Sequence, residues 1–209
     1  MKWHLDILPG VQRSLWDSTI CHGLPGFVLY GGTALALRLG HRQSIDFDFF
    51  SAIPFAPLDL KERLGLAGEV SQAEPNTLTV FHGGVKLSFF GGLSLGVIAP
   101  PDHLAACPVA SIPDLAGCKL AALVNRVELK DYLDVVAILR TGLALPDMLA
   151  SANAIYHGGF PIAVCMKALV YFESGELARL PHDDRSLIEK AVEQISEIPS
   201  LPLAAESIS

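Results

Sequence analysis

Two aspartates one residue apart, set inside a run of aromatic residues, constrain this chain more than anything else in it. They are Asp46 and Asp48 in the string Ser44-Ile45-Asp46-Phe47-Asp48-Phe49-Phe50. Phenylalanine and isoleucine favour strands while aspartate is depleted in them, so a strand over 44–50 carries its two acids for a reason. On a strand, residues two apart leave the same face. Asp46 and Asp48 therefore project together, and Ile45, Phe47 and Phe49 project to the other side. Neighbouring carboxylates repel unless something positive sits between them. Mg2+ suits the gap, because it is a hard cation that takes one or two carboxylates alongside substrate phosphates.

Upstream, a short apolar run over 27–30 ends in Gly31-Gly32-Thr33, and a helical pattern follows as far as Leu39. Glycines at the start of a helix let a phosphate approach the backbone N–H groups there. Thr33 adds a hydroxyl or an N-cap. A tight strand-to-helix turn would also use glycine, so the pair alone does not decide between the two. Arg38, His41, Arg42 and Ser44 place positive and hydroxyl groups between the glycines and the acids. Such groups suit triphosphate oxygens, or salt bridges to the acids. Ser44 shares its strand face with Asp46 and Asp48. Further on, Lys86 and Ser88 share a face of a strand over 85–90, where Lys86 meets phosphate or snorkels at the surface.

The rest of the chain bounds the answer. Its 209 residues are 51% hydrophobic and 18% charged, enough for one large domain or two small ones with an ample core. No stretch approaches the ~20 uninterrupted apolar residues that span a bilayer, and the N-terminal residues lack an export signal. A cytoplasmic location is expected. Cys21, Cys107, Cys118 and Cys165 form no Cys-x-x-Cys pair and read as reduced thiols. The histidines show no zinc spacing. A formal net charge of −7 argues against broad electrostatic capture of nucleic acid, though not against a nucleotide substrate.

The pattern predicts helices over 10–22, 33–39 and 58–66. It predicts strands over 27–30, 44–50, 69–73, 77–81 and 85–90, a hairpin turn at 82–84 and a short strand at 96–99. Pro100, Pro101 and Pro108 then break the chain. From residue 111 only helices follow, over 115–126, 130–140, 146–156, 161–172 and 183–198, and the last ten residues read as frayed. The chain thus divides into a mixed part, 1–108, and a helical part, 109–209.

The string from Lys119 to Asp134 is unusually rich in charge for this chain. Lys119 and Arg126 share a face if the helix is continuous, as do Lys130 and Asp134, four apart. The choice is between a solvated helix face and a cationic shelf for a nucleotide.

Three strings taken together resemble a known family. They are Gly31-Gly32-Thr33-Ala34-Leu35-Ala36-Leu37-Arg38; His41-Arg42-Gln43-Ser44-Ile45-Asp46-Phe47-Asp48-Phe49-Phe50; and Lys119, Arg126 and Lys130-Asp131-Tyr132-Leu133-Asp134. They resemble the AbiEii/AbiGii nucleotidyltransferase-like toxins, of the DNA polymerase β-type nucleotidyltransferase superfamily. The resemblance implies an α+β fold: a nucleotidyltransferase-like mixed sheet with flanking helices, followed by a helical domain. It implies that Gly31, Gly32 and Thr33 hold a triphosphate and that Asp46 and Asp48 bind Mg2+. Lys119, Arg126, Lys130, Asp131 and Asp134 become the helical-domain motif, with Lys130 the phosphate or transition-state ligand. The implied activity is transfer of a nucleotide from an NTP to an acceptor hydroxyl, with RNA, tRNA included, as acceptor. The implied setting is the toxin half of an abortive-infection pair, with an antitoxin encoded nearby. There is one departure. The superfamily carries a third metal carboxylate on a later strand, and here that place falls to Ser88. The alternative expectation is therefore a degenerate module that binds nucleotide without transferring it.

Overall fold

The computed structural model describes residues 2–173 and 175–208. They form two compact units, one of Met1–Leu95, Pro100–Ser111 and Ala205–Ser209, the other of Gly96–Ala99 and Ile112–Ala204.

The first unit begins with helix α1 (Gly10–Ser18), shorter than the predicted 10–22 because Thr19 leaves helical geometry before a 3-10 turn at Ile20–His22. Strand β1 (Val28–Tyr30) runs straight into helix α2 (Gly31–Leu39), which Gly40 ends in a left-handed cap. Strand β2 (Asp46–Phe50), helix α3 (Pro57–Arg63) and strands β3 (Glu69–Glu74), β4 (Thr77–His82) and β5 (Val85–Phe90) follow. Two short strands, β6 (Asp102–Leu104) and β7 (Cys107–Val109), complete the sheet. Residues 96–99 contribute a single bridge at Val97 instead of the predicted strand.

The sheet has seven strands in the order β3-β4-β5-β2-β1-β7-β6. It is mixed: β2 lies parallel to β5 and antiparallel to β1, and β1 lies parallel to β7. The acid-bearing strand is thus central. On its apolar side an aromatic ladder fills the core. Trp16 of α1 meets Phe47 at 6.1 Å between ring centroids, Phe49 stacks on Phe89 at 5.2 Å, and Phe27 meets Phe89 edge-on at 5.3 Å. Each such pair adds about 0.5–1.5 kcal/mol beyond the area it buries. The alternation holds for Phe47 and Phe49, but the strand starts at Asp46, not at residue 44 as predicted, so Ile45 precedes it and is 66% exposed.

The second unit is helical: α4 (Ile112–Asn125), α5 (Leu129–Arg140), α6 (Leu145–Ile155), α7 (Ile162–Leu169) and α8 (His182–Glu193), with a 3-10 turn at Gly175–Arg179. α4 and α6 cross closely at Gly117, where a Cβ would stand 3.0 Å from the Ala152 backbone nitrogen. The Tyr132 hydroxyl of α5 donates to the Ala168 carbonyl at the end of α7 (2.7 Å). Fraying does not describe the tail. Leu203 packs against Gly96, the Ala204 N–H donates to the Val97 carbonyl (2.7 Å), and Ile208 is buried. Ser209 lies outside the described residues. Among the described residues no single helix is long and apolar enough to cross a membrane.

Candidate nucleotide and metal site

The site in the first unit grows from a junction in which the strand becomes a helix without a loop. The glycine pair forms the first turn of α2, where the sequence suggested a start at Thr33. Gly31 has φ +72°, a value that L side chains rarely adopt. Its Cα lies against the Asp48 carboxylate, so that a Cβ there would run into Asp48 Oδ2. At Gly32 a Cβ would stand 2.7 Å from Arg42 Nη2 and 2.9 Å from Ser44 Oγ. The two glycines therefore form a floor on which Asp48, Arg42 and Ser44 converge. Tyr30, at the N-cap position, gives no side-chain bond to the helix start. The positive end of α2 thus opens beside Arg42.

Asp46 and Asp48 share the face opposite the aromatic ladder, and both are half-buried. Asp46 Oδ2 lies 3.8 Å from Lys86 Nζ. In register, Asp46 stands beside Lys86, and Asp48 beside Ser88 of β5 and Tyr30 of β1. Ser88 in turn faces Thr79 of β4. The neighbours of Asp48 in its own row are thus hydroxyl groups, not a third acid. Two hard oxygen donors from positions two apart, partly desolvated and beside a helix N-terminus, fit a small divalent cation that also carries substrate oxygens.

Two expectations are corrected here. Thr33 is not an N-cap. It is the buried third residue of α2, and its hydroxyl donates to the Asp46 carbonyl, tying the helix to the acid strand. Arg38 does not stand with the phosphate-binding groups. It is 4% exposed, and its guanidinium donates to the carbonyls of Ala110 (2.6 Å) and Val109 (2.8 Å) and pairs with Asp102 (2.8 Å), with Trp3 against its face. It binds α2 to β7 and β6, two three-residue strands, the former centred on Pro108, that gave no strand pattern.

The sequence also gave no role to Gln12, which is buried on α1. Its amide donates to the Thr33 hydroxyl (3.5 Å), extending the chain of contacts behind Asp46. The signal was there: Gln12 falls on the same helical stripe as Leu15 and Trp16.

In the second unit the charged string resolves into one buried knot and one exposed pair. Lys119 Nζ lies 3.1 Å from Asp131 Oδ1 and 2.6 Å from Asp134 Oδ2, all three buried. Arg126 donates twice to Asp131, from Nε at 2.9 Å and Nη2 at 3.2 Å. Two cations against two carboxylates leave the knot neutral, the condition for tolerating burial. Arg126 reaches Asp131 although α4 stops at Asn125, because 126–128 turn back toward α5. Lys130 stays outside this knot, half-exposed and paired with Glu128 at 2.8 Å.

The mixed sheet, the glycine-started helix and the paired acids define a nucleotidyltransferase-like protein. Residues 20–199 match the family described as "Nucleotidyl transferase AbiEii toxin, Type IV TA system", and the chain belongs to that family. It is also 29% identical over 170 residues to an uncharacterized protein of Aquifex aeolicus (strain VF5), covering 78% of this chain and 82% of that one.

Proposed function

We propose that the chain transfers a nucleotide from an NTP to a hydroxyl of an RNA acceptor, and that this is its action as the toxin of a type IV toxin–antitoxin pair. The observation that carries the reading is the convergence of Asp48, Arg42 and Ser44 on the glycine floor beside Asp46. A triphosphate tail lies at the start of α2, where Gly31 and Gly32 admit it and Arg42 and Ser44 bind its oxygens. Asp46 and Asp48 hold Mg2+, whose role when bound is to neutralise charge on the phosphates. The acceptor oxygen bonds to the α-phosphorus and the bond to the β-phosphate oxygen breaks. Pyrophosphate leaves with the electron pair, and the hydroxyl proton passes to water. Arg42 and the N-terminal dipole of α2 stabilise the developing charge. In the second unit, Arg126 and Lys130, each with about half of its side chain exposed (47% and 49%), bind phosphate; the ion pairs of Lys119 with Asp131 and Asp134 tie α4 to α5 behind them. The setting is the cytoplasm, with the antitoxin encoded nearby.

The test is label transfer from α-labelled NTP to total RNA with Mg2+. Asp46→Asn and Asp48→Asn are each expected to lower transfer at least 100-fold and to abolish growth arrest on expression, with melting temperature preserved. Growth arrest unchanged in both variants would falsify the reaction. A second reading rests on Ser88 and Thr79 beside Asp48, where a third acid would otherwise stand. A chain without that group binds NTP and Mg2+ and transfers nothing. Calorimetric binding with no label transfer selects this reading.

A further inference from the structure

The row of side chains that starts at Asp46 continues outward over two more strands. Asp46 stands beside Lys86 of β5, and Lys86 stands opposite Phe81 of β4. All three leave the same face of the sheet. At the usual strand spacing Phe81 lies about 10 Å from Asp46. Phe81 is 45% exposed and is the one exposed aromatic ring among the described residues of the first unit. Its neighbours along the row are Lys86 on one side and Glu69 on the other, so no apolar partner across the strands accounts for it. A polar residue would serve the fold equally well at a solvent-facing strand position. The ring is therefore spare as far as folding goes, and it stands in line with a cation and two acids.

Resting on the reading that the acceptor is RNA, we propose that Phe81 is the acceptor platform. An unpaired base near the end of the RNA stacks on its ring, the adjoining phosphate meets Lys86, and the terminal hydroxyl is delivered toward Asp46 and Asp48. The charge of the chain favours this division of labour. With 15 basic against 22 acidic side chains it lacks the long-range pull that basic RNA-binding proteins use. Stacking needs no net charge and tolerates any base, since every base offers a π-face. The platform thus selects single-stranded ends and leaves duplex RNA unbound. It also makes binding only weakly salt-dependent, because the row itself carries one cation.

Fluorescence anisotropy of the full chain with a labelled single-stranded RNA octamer tests this. Phe81→Ala is expected to weaken binding roughly 10-fold or more, and Phe81→Trp to stay within about 3-fold of the parent. Melting temperatures are expected to match. An octamer with an abasic site next to its 3′ end is expected to bind weakly to the parent chain and no more weakly to Phe81→Ala. The logarithmic salt slope is expected to be about −0.7, the value for one phosphate contact on a single strand. Equal binding by Phe81→Ala, or no octamer binding by the parent chain, overturns the platform. The two proposals fail separately. Label transfer lost in Asp46→Asn but indifferent to Phe81→Ala leaves the reaction standing without the platform. Phe81-dependent octamer binding with no transfer by the parent chain leaves the platform without the reaction.

Discussion

At the scale of single residues, the glycine pair separates two demands that the sequence shows as one. Gly31 is needed for its backbone, at φ +72°, and for its contact with Asp48; Gly32 has ordinary φ and meets only the ends of Arg42 and Ser44. Gly31→Ala is therefore expected to cost more than about 1 kcal/mol of stability and to displace the Asp48 carboxylate. Gly32→Ala is expected to leave the melting temperature within a few degrees, while calorimetry shows weaker NTP binding. Equal melting temperatures for the two variants would count against this separation. Arg38 makes the converse case. Arg38→Lys replaces the fork that serves Val109, Ala110 and Asp102 together with a single ammonium, and each buried carbonyl that loses its donor costs about 1–3 kcal/mol, so its melting temperature is expected to fall while NTP affinity holds. The role of Arg38 was not legible, because its partners lie 64 to 72 residues away along the chain. The grouping of Asp46 with Asp48 was legible because a strand repeats every two residues, and a repeat that short needs no knowledge of the fold.

At the scale of elements, legibility followed length and regularity. β2 and β5 carry alternating patterns, whereas β6 and β7 are three residues each and contain no alternation to read. In α4 and α5 the density of charge was visible but its burial was not. Asp131, Tyr132, Asp134, Val135, Val136 and Ile138 are buried together, acids on the same side of the helix as valines. Such a stripe looks polar until Lys119 is placed against it. Removing that lysine takes away the buried ammonium that lies 3.1 Å from Asp131 and 2.6 Å from Asp134. Lys119→Met is accordingly expected to destabilise the second unit by about 3–5 kcal/mol, read as a large fall in denaturant midpoint. A stabilising effect in Lys119→Met would mean that the knot is more hydrated than its burial indicates.

At the scale of the whole molecule, both units hold groups that resist losing their protons. Burial pushes the Cys107 and Cys165 thiols from 9.0 up to about 12, and Tyr132 from 10.0 up to about 12, the last helped by nearby Cys165 and Asp131. The folded chain keeps these protons where the unfolded chain releases them. Their contribution to stability is thus fully present below about pH 9 and is lost as pH rises toward 12. Stability is expected to be flat from these groups up to pH 8 and to fall steeply above pH 9, and Cys107→Ala is expected to shallow that fall. A steep slope unchanged by Cys107→Ala would assign it to other groups.

One strand, β2, serves as the spine of the aromatic ladder on one side and carries the acids on the other. Its first four positions should therefore separate cleanly in a genetic screen for cells that survive expression of the toxin. Escape at positions 46 and 48 will leave a full-strength band on an immunoblot, because a charged head group has gone and the ladder has not. Escape at 47 and 49 will leave little or no band, because the polypeptide is cleared before it can act.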